Sequence, residues 1–234
     1  PATLLYGSGA IGGVVNVIDN RIPEKVPDQL VGGSLEQKYN SVSNNRSTAV
    51  KIEGGKNKFA YHFDGYYQKN DDIKISGDAI DAMRAQVSQN GLVVAENSNG
   101  FIDNTSADNL SGTAGFSFVG DSGFFGFSGN VLDMEYQVPP NGTAGDEKIF
   151  IELEQRKLDF KSEWNNPVGF IETVRTKLSF TDYEHSESLK GFFRNDTFEG
   201  RIEVPHKRIL GVKGVAGFQI MTSRFSALDI PTGT

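Results

Sequence analysis

Tyr6-Gly7-Ser8-Gly9-Ala10-Ile11-Gly12-Gly13-Val14-Val15-Asn16-Val17-Ile18-Asp19 is the stretch on which the fold turns. Gly7, Gly9 and Gly12 spell G-x-G-x-x-G, the spacing with which a dinucleotide loop turns tightly, approaches a pyrophosphate and opens a helix. That mechanism needs a strand before the glycines and a helix after them. Only five residues precede Tyr6, and the glycines lead into Gly13-Val14-Val15-Asn16-Val17-Ile18, a β-branched run that favours strand over helix. A soluble dinucleotide-dependent oxidoreductase is therefore disfavoured. The glycines take a structural part instead, giving positive φ and close backbone approach in a tight turn ahead of a buried strand.

Composition narrows the classes further. The 234 residues suffice for one large domain or two small ones. Only 37% are hydrophobic, yet there are 27 Gly, 17 Phe and 7 Tyr. A soluble enzyme of this length would show longer apolar runs and helical periodicity. No apolar stretch reaches the roughly 18 residues of a membrane-spanning helix, which leaves membrane β-strands open, since their signal is far weaker. Cysteine is absent, so there is no disulfide framework and no thiolate metal site. The net charge of −7 argues against a nucleic-acid partner, which would need a basic face. The chain opens at Pro1 without Met and closes on the loop-like Pro231-Thr232-Gly233-Thr234, so both ends are expected to be cut from something longer.

After Pro23 and Pro27 the pattern alternates with period two. Phe59, Tyr61, Phe63 and Tyr67 oppose His62, Asp64 and Gln68. Leu110, Ala114, Phe116 and Phe118 oppose Ser111, Thr113 and Ser117. Phe125, Phe127 and Val131 oppose Ser128 and Asn130, and Leu158, Phe160 and Trp164 oppose Lys157, Asp159, Lys161 and Glu163. The same pattern returns at 174–180, 198–204 and 212–220, with weaker strands at about 31–43 and 47–55. Several of these are long enough to cross a bilayer, which takes roughly 9–11 tilted residues, whereas globular strands average about 5–6.

Short turns are expected at Lys56-Asn57-Lys58, Gly120-Asp121-Ser122-Gly123, Asn165-Asn166-Pro167 and Pro205-His206-Lys207-Arg208. Long loops fall between them at about Asp71–Thr105, Glu135–Phe150 and His185–Asn195. The first should hold a short helix, N-capped by Asp78, with Ile80, Met83 and Val87 on one face and Asn90-Gly91 at its end. Short turns on one side and long loops on the other is the asymmetry of outer-membrane barrels. An extracellular β-sandwich adhesin would also alternate apolar and polar residues, but gives no reason for alternating loop lengths.

The opening Pro1-Ala2-Thr3-Leu4-Leu5-Tyr6-Gly7-Ser8-Gly9-Ala10-Ile11-Gly12-Gly13-Val14-Val15-Asn16-Val17-Ile18 resembles the end of the plug domain of TonB-dependent outer-membrane receptors. That family closes its plug on a pattern of the form P-x-x-x-L-Y-G-x-x-A-x-G-G-x-I-N-x-I, and Val15 stands here at the last-but-one Ile. Tyr6, Gly7, Gly9, Gly12 and Gly13 would be its structural motif. Arg21-Ile22-Pro23-Glu24-Lys25, Asp182-Tyr183-Glu184-His185-Ser186-Glu187 and the run from Phe193 to Arg201 look most like the zinc-uptake receptors. Those often carry a His-rich extracellular loop, whereas Gln137–Phe150 has no His.

The resemblance implies an all-β chain: the C-terminal end of a plug over 1–27, then over 28–234 about nine strands of a transmembrane antiparallel barrel of roughly 22. It implies a receptor in the bacterial outer membrane, in contact with lipid and with the TonB energy-coupling complex. Such a receptor imports a metal ion or metal chelate, with zinc leading and siderophore or haem next, and has no resident cofactor and no enzymatic step.

The residues themselves offer little catalytic chemistry. There is no G-x-S-x-G, and the only histidines are His62, His185 and His206. His62 lies on the polar side of its strand beside Asp64, as a wall hydrogen bond would require, and His206 falls in a turn. His185 stands where its strand reaches the long-loop end, close to Asp182, Glu184 and Glu187. Histidine with carboxylates suits Zn²⁺. On an extended strand Tyr183, His185 and Glu187 share a face, with Asp182 and Glu184 on the other. His185 and Glu187 are thus the candidate metal pair.

Overall fold

The computed structural model describes residues 19–88, 93–188 and 191–229. Tyr6, Gly7, Gly9, Gly12 and Gly13, and Asn90-Gly91 at the expected helix end, lie outside the described residues. The fold is all-β. Its elements are β1 (Gly32–Asn40), β2 (Asn45–Lys56), β3 (Phe59–Asn70), β4 (Ile73–Asp78), helix α1 (Ala82–Ser88), β5 (Asn99–Ile102), β6 (Ala107–Gly120), β7 (Gly123–Val138), β8 (Ile149–Asn165), β9 (Thr173–Glu187), β10 (Gly191–Ile209) and β11 (Val212–Asp229). Nine strands form one antiparallel sheet in the order β1-β2-β3-β6-β7-β8-β9-β10-β11. It is open, with β1 and β11 as its edges. β4 and β5 pair apart from it, in the excursion between β3 and β6.

Tight turns at Asn57-Lys58, Asp121-Ser122 and Leu210-Gly211 mark what we term the lower end, and the 71–106 and 139–148 connections mark the upper end. Asn57 takes positive φ (59°), as Asn tolerates in a turn. Leu210 (48°) and Gly211 (83°) are both left-handed, the pair a type I′ hairpin requires.

Three expected boundaries move. Pro205-His206-Lys207-Arg208 is not a turn; β10 runs through it, with an irregularity between His206 and Ile209. The proline is tolerated because the β9 ladder has already stopped at Glu203↔Arg175, while the Pro205 carbonyl still accepts from Glu172 N (2.9 Å). The expected loop His185–Asn195 is mostly strand, since β9 continues to Glu187 and β10 resumes at Gly191. The helix starts later than expected: Asp81, not Asp78, accepts from Arg84 N (3.0 Å), and Asp78 belongs to β4. Met83 is bare rather than packed.

The two faces of the sheet differ sharply in the lower half. One face, the outer, carries Leu35, Ile52, Phe63, Phe116, Phe127, Leu158, Phe180, Phe198 and Phe218, all exposed. Phe127 is 57% exposed and Leu158 63%. The other, inner face carries His62 (3%), Ser117 (3%), Ser128 (5%) and Asn130 (8%), all buried. Asn130 Nδ2 donates to Gly112 O and Thr113 Oγ1, both at 3.0 Å, whereas His62 Nδ1 is buried without a hydrogen bond, 3.6 Å from Glu53 Oε2. His62 Nε2 lies 2.9 Å from Asp64 Oδ2, the neighbour on the same face that the sequence pairs it with. A globular sheet buries its apolar face; this one buries its polar face.

What covers the inner face is residues 19–27, a non-periodic strap. Asn20 Nδ2 donates to Glu53 Oε2 (3.1 Å), and Ser117 Oγ to Pro23 O (2.5 Å). Glu24 pairs with Lys161. Ile22 is 8% exposed. Under the strap two positions leave no room for a side chain, one facing its backbone and one facing Ile22. A Cβ on Gly115 would stand 1.7 Å from Arg21 O, and one on Gly126 would stand 2.6 Å from Ile22 Cγ2.

In the upper half of β7–β11 the polarity of the faces reverses. The register puts Leu132, Met134, Tyr136, Ile151, Leu153, Tyr183, His185, Phe193 and Phe225 on the inner face. Outward point Asp133, Glu135, Glu152, Glu154, Arg156, Asp182, Glu184, Arg194 and Asp196. Arg194 gathers Asp182 (3.4 Å), Glu184 (3.2 Å) and Asp196 (3.3 Å).

Candidate functional site at the upper inner wall

His185 and Glu187 lie on one face of β9, as strand alternation requires, with His185 Nε2 3.6 Å from Glu187 Oε1. Tyr183 shares that face, and its Oη lies 3.1 Å from His185 Nδ1. With the Tyr183 hydroxyl as donor, Nδ1 is the acceptor and the ring proton sits on Nε2, turned toward Glu187. Asp182 and Glu184 point to the opposite face and are engaged with Arg194. The structure thus joins His185 to Glu187 and Tyr183, and separates it from the other two carboxylates.

The neighbouring strands add what the sequence did not name. Register places Phe193 of β10 and Leu153 of β8 beside His185. The His185 and Phe193 rings stack with centroids 4.6 Å apart at 21°, and Tyr183 meets His185 edge-on at 5.6 Å and 69°. Nothing in the β9 sequence announces Phe193. It arrives through a pairing between strands, which no local pattern encodes.

As a zinc site the arrangement is partial. Zn²⁺ takes four ligands, and His185 and Glu187 would supply one nitrogen and one oxygen. Among the described residues no group of three or more His, Asp or Glu is placed to hold a metal ion. The side chains of His185 and Glu187 are 22% and 23% exposed, so both remain within reach of a ligand.

Below this cluster the inner wall opens into a cavity of about 570 Å³, lined by Lys157, Lys177, Thr181, Glu199, Arg201 and Gln219 among others. Lys157 pairs with Asp159 (3.2 Å), and Arg201 pairs with Glu203. Lys177 forms no ion pair among the described residues.

Above it, the two long connections are tied together. Asn104, 2% exposed, donates from Nδ2 to Val138 O (2.7 Å) and Ile149 O (3.0 Å), closing the neck of the 139–148 loop. Ala95 N donates to Gly142 O (2.8 Å). Lys148 meets Asp103 at 2.8 Å, and this hydrogen bond holds its ammonium above the usual lysine value. No protein-family model matches the chain.

Proposed function

We propose that the chain is part of a TonB-dependent outer-membrane receptor that binds a scarce metal ion or metal chelate at its extracellular mouth and passes it to the periplasm. The observation that carries the reading is the inversion in the lower half, where hydroxyls, amides and His62 are buried while Phe and Leu stand bare. Such a sheet is stable where the solvent outside is hydrocarbon and the space inside is polar. Strands of 14–19 residues from β6 to β11 exceed the roughly 9–11 needed to cross, so their upper parts would stand clear of the bilayer. The charged outward row of Glu152, Glu154, Asp182, Glu184 and Arg194 fits that position.

The strap over 19–27 would be the joint between a plug and its barrel, and the residues from Tyr6 to Ile18 the plug's closing segment. An ion cargo would use His185 and Glu187, with further ligands from outside the described residues. A β-sandwich would instead need a second sheet over the outer aromatics. The other described sheet, β4–β5, has strands of six and four residues.

Cell fractionation of the intact protein tests the reading. It should enter the outer-membrane fraction, need detergent for extraction, and run with heat-dependent mobility in SDS gels. Recovery as a folded monomer in plain buffer would sink it.

A further inference from the structure

We propose that the lower tip of β8–β11 docks on an anionic phospholipid leaflet, through a patch of Val168, Phe170, Ile209 and Leu210 with Lys207 and Arg208 beside it. This rests on the receptor reading, under which the tight-turn end meets the leaflet on the periplasmic side, and names the lipid that this part of the rim selects.

The turns of the lower end fall into two kinds. Asn57-Lys58 and Asp121-Ser122 are polar, and Lys58 meets Asp121 at 3.7 Å. The other two carry bare apolar side chains: Val168 (60% exposed) and Phe170 (61%) between β8 and β9, and Ile209 (45%) and Leu210 (100%) at the β10–β11 hairpin. They lie side by side, since Lys207 N donates to Phe170 O (2.8 Å) and Lys207 Nζ to Gly169 O (3.0 Å). A contiguous apolar patch at a turn end, where polar residues are the rule, marks a docking surface.

Two backbone irregularities hold the patch in place. Leu210 takes φ 48°, a left-handed conformation disfavoured for leucine and suited to Asn or Gly. Three residues of β10 oppose two of β11 between His206↔Gly214 and Ile209↔Val212. That bulge turns Ile209 to the side of Ile202 and Phe218, where unbroken alternation would have pointed it inward. Strain at a fully bare residue points to a role outside the fold.

Charge and continuity identify the partner. Residues 166–172 and 205–214 hold Lys207, Arg208 and Lys213 against the single carboxylate of Glu172, which Lys213 meets at 3.3 Å. Arg208 is exposed and forms no ion pair among the described residues. The other end of the same outer face is acidic, with Glu152, Glu154, Asp182 and Glu184. Apolar side chains that prolong the outer apolar band, bordered by cations, match acyl chains beneath anionic headgroups.

The chain has no cysteine, so Val168→Cys and Ser122→Cys place a bimane label on one turn of each kind. The intact protein is reconstituted into vesicles whose brominated lipid is either phosphatidylglycerol or phosphatidylcholine, and quenching gives the relative affinity of each lipid for the labelled turn. At residue 168 phosphatidylglycerol should be favoured at least about fivefold, the effect of one cation near an anionic surface, and at residue 122 by less than about twofold. Arg208→Gln should bring the preference at 168 below about twofold. Leu210→Asn, which suits the left-handed backbone, should be at least as heat-resistant in detergent as wild type, yet lower quenching at 168 by both lipids at least about twofold.

Equal quenching by the two lipids at 168, or a preference that survives Arg208→Gln, overturns the proposal. A label at 168 reached by aqueous iodide and by neither lipid overturns it in favour of a protein partner. A Leu210→Asn protein that is less stable in detergent, or is quenched like wild type, also overturns it. Heat-dependent gel mobility identifies a labelled variant that does not fold, and Val212→Cys then carries the label. Phosphatidylglycerol-selective docking by a protein absent from the outer membrane would retire the receptor reading and leave the tip. An outer-membrane protein without that preference would do the opposite.

Discussion

The lower and upper halves of β8, β9 and β10 belong to the same strands and the same hydrogen-bond ladder, yet their faces are mirror images in polarity. Below, Leu158, Phe160, Leu178, Phe180 and Phe198 point outward and Lys157, Asp159, Ser179 and Glu199 inward. Above, Glu152, Glu154, Asp182, Glu184 and Asp196 point outward and Ile151, Leu153, Tyr183, His185 and Phe193 inward. Backbone pairing is indifferent to the change, because a ladder needs only N–H and C=O groups. The faces answer to their surroundings, so one strand can record two different solvents along its length.

The largest expected effect comes from placing a charge in the lower outer band. Leu158→Arg should destabilise the folded, membrane-inserted protein by about 2–4 kcal/mol, and Glu152→Arg, six residues up the same face of β8, by less than about 0.5 kcal/mol. Urea unfolding in lipid vesicles measures both, and equal effects would erase the distinction between the halves. Next comes Gly115→Val, which sets a side chain against Arg21 O and should cost about 1–3 kcal/mol. Hydrogen exchange should rise across residues 19–27 and leave the upper aromatic cluster unchanged; a rise at Tyr183–Glu187 instead would mean that the halves are mechanically one.

The smallest effect concerns the upper connections. The Lys148 ammonium lies above its ordinary value because Asp103 accepts its hydrogen bond. Its contribution is therefore complete below the ordinary lysine value of about 10.4 and fades as pH rises through the higher, folded one. Protection of 99–104 against exchange, corrected for intrinsic rates, should drop slightly in strong alkali, and Lys148→Met should remove the drop.

The lower half was readable in the sequence because its alternation is uninterrupted. Phe59 to Tyr67, Leu110 to Phe118 and Phe125 to Val131 give both the strands and their faces, and His62 with Asp64 follows from the same parity. The upper half was not readable by that route. Between Phe180 and Tyr183 the apolar residues of β9 change from even to odd positions, so the pattern breaks where the strand does not, and periodicity alone ends β9 and starts β10 short of their true limits. Leu210-Gly211 escaped because leucine rarely accepts positive φ, which left Pro205 as the more persuasive turn signal. The His185–Glu187 pair follows from spacing within one strand. Phe193, which stacks on its ring, needs the register of two strands. The strap has no period at all, and only the small inner-face residues Gly115, Ser117 and Gly126 hint that something lies over them.

The strap also has a mechanical order. Its attachments to the wall follow one another along the chain: the Asn20 amide on Glu53, the Arg21 backbone over Gly115, Ile22 against Gly126, the Pro23 carbonyl under Ser117, then Glu24 on Lys161. A pull exerted from the Asp19 side would load these one at a time, a peel rather than a shear. The exposed amide bond would yield first. Ile22 in its glycine socket is the first point at which apolar area must be dragged into water, and so the natural stop, the place where a tug on the preceding chain ends and the wall begins to resist.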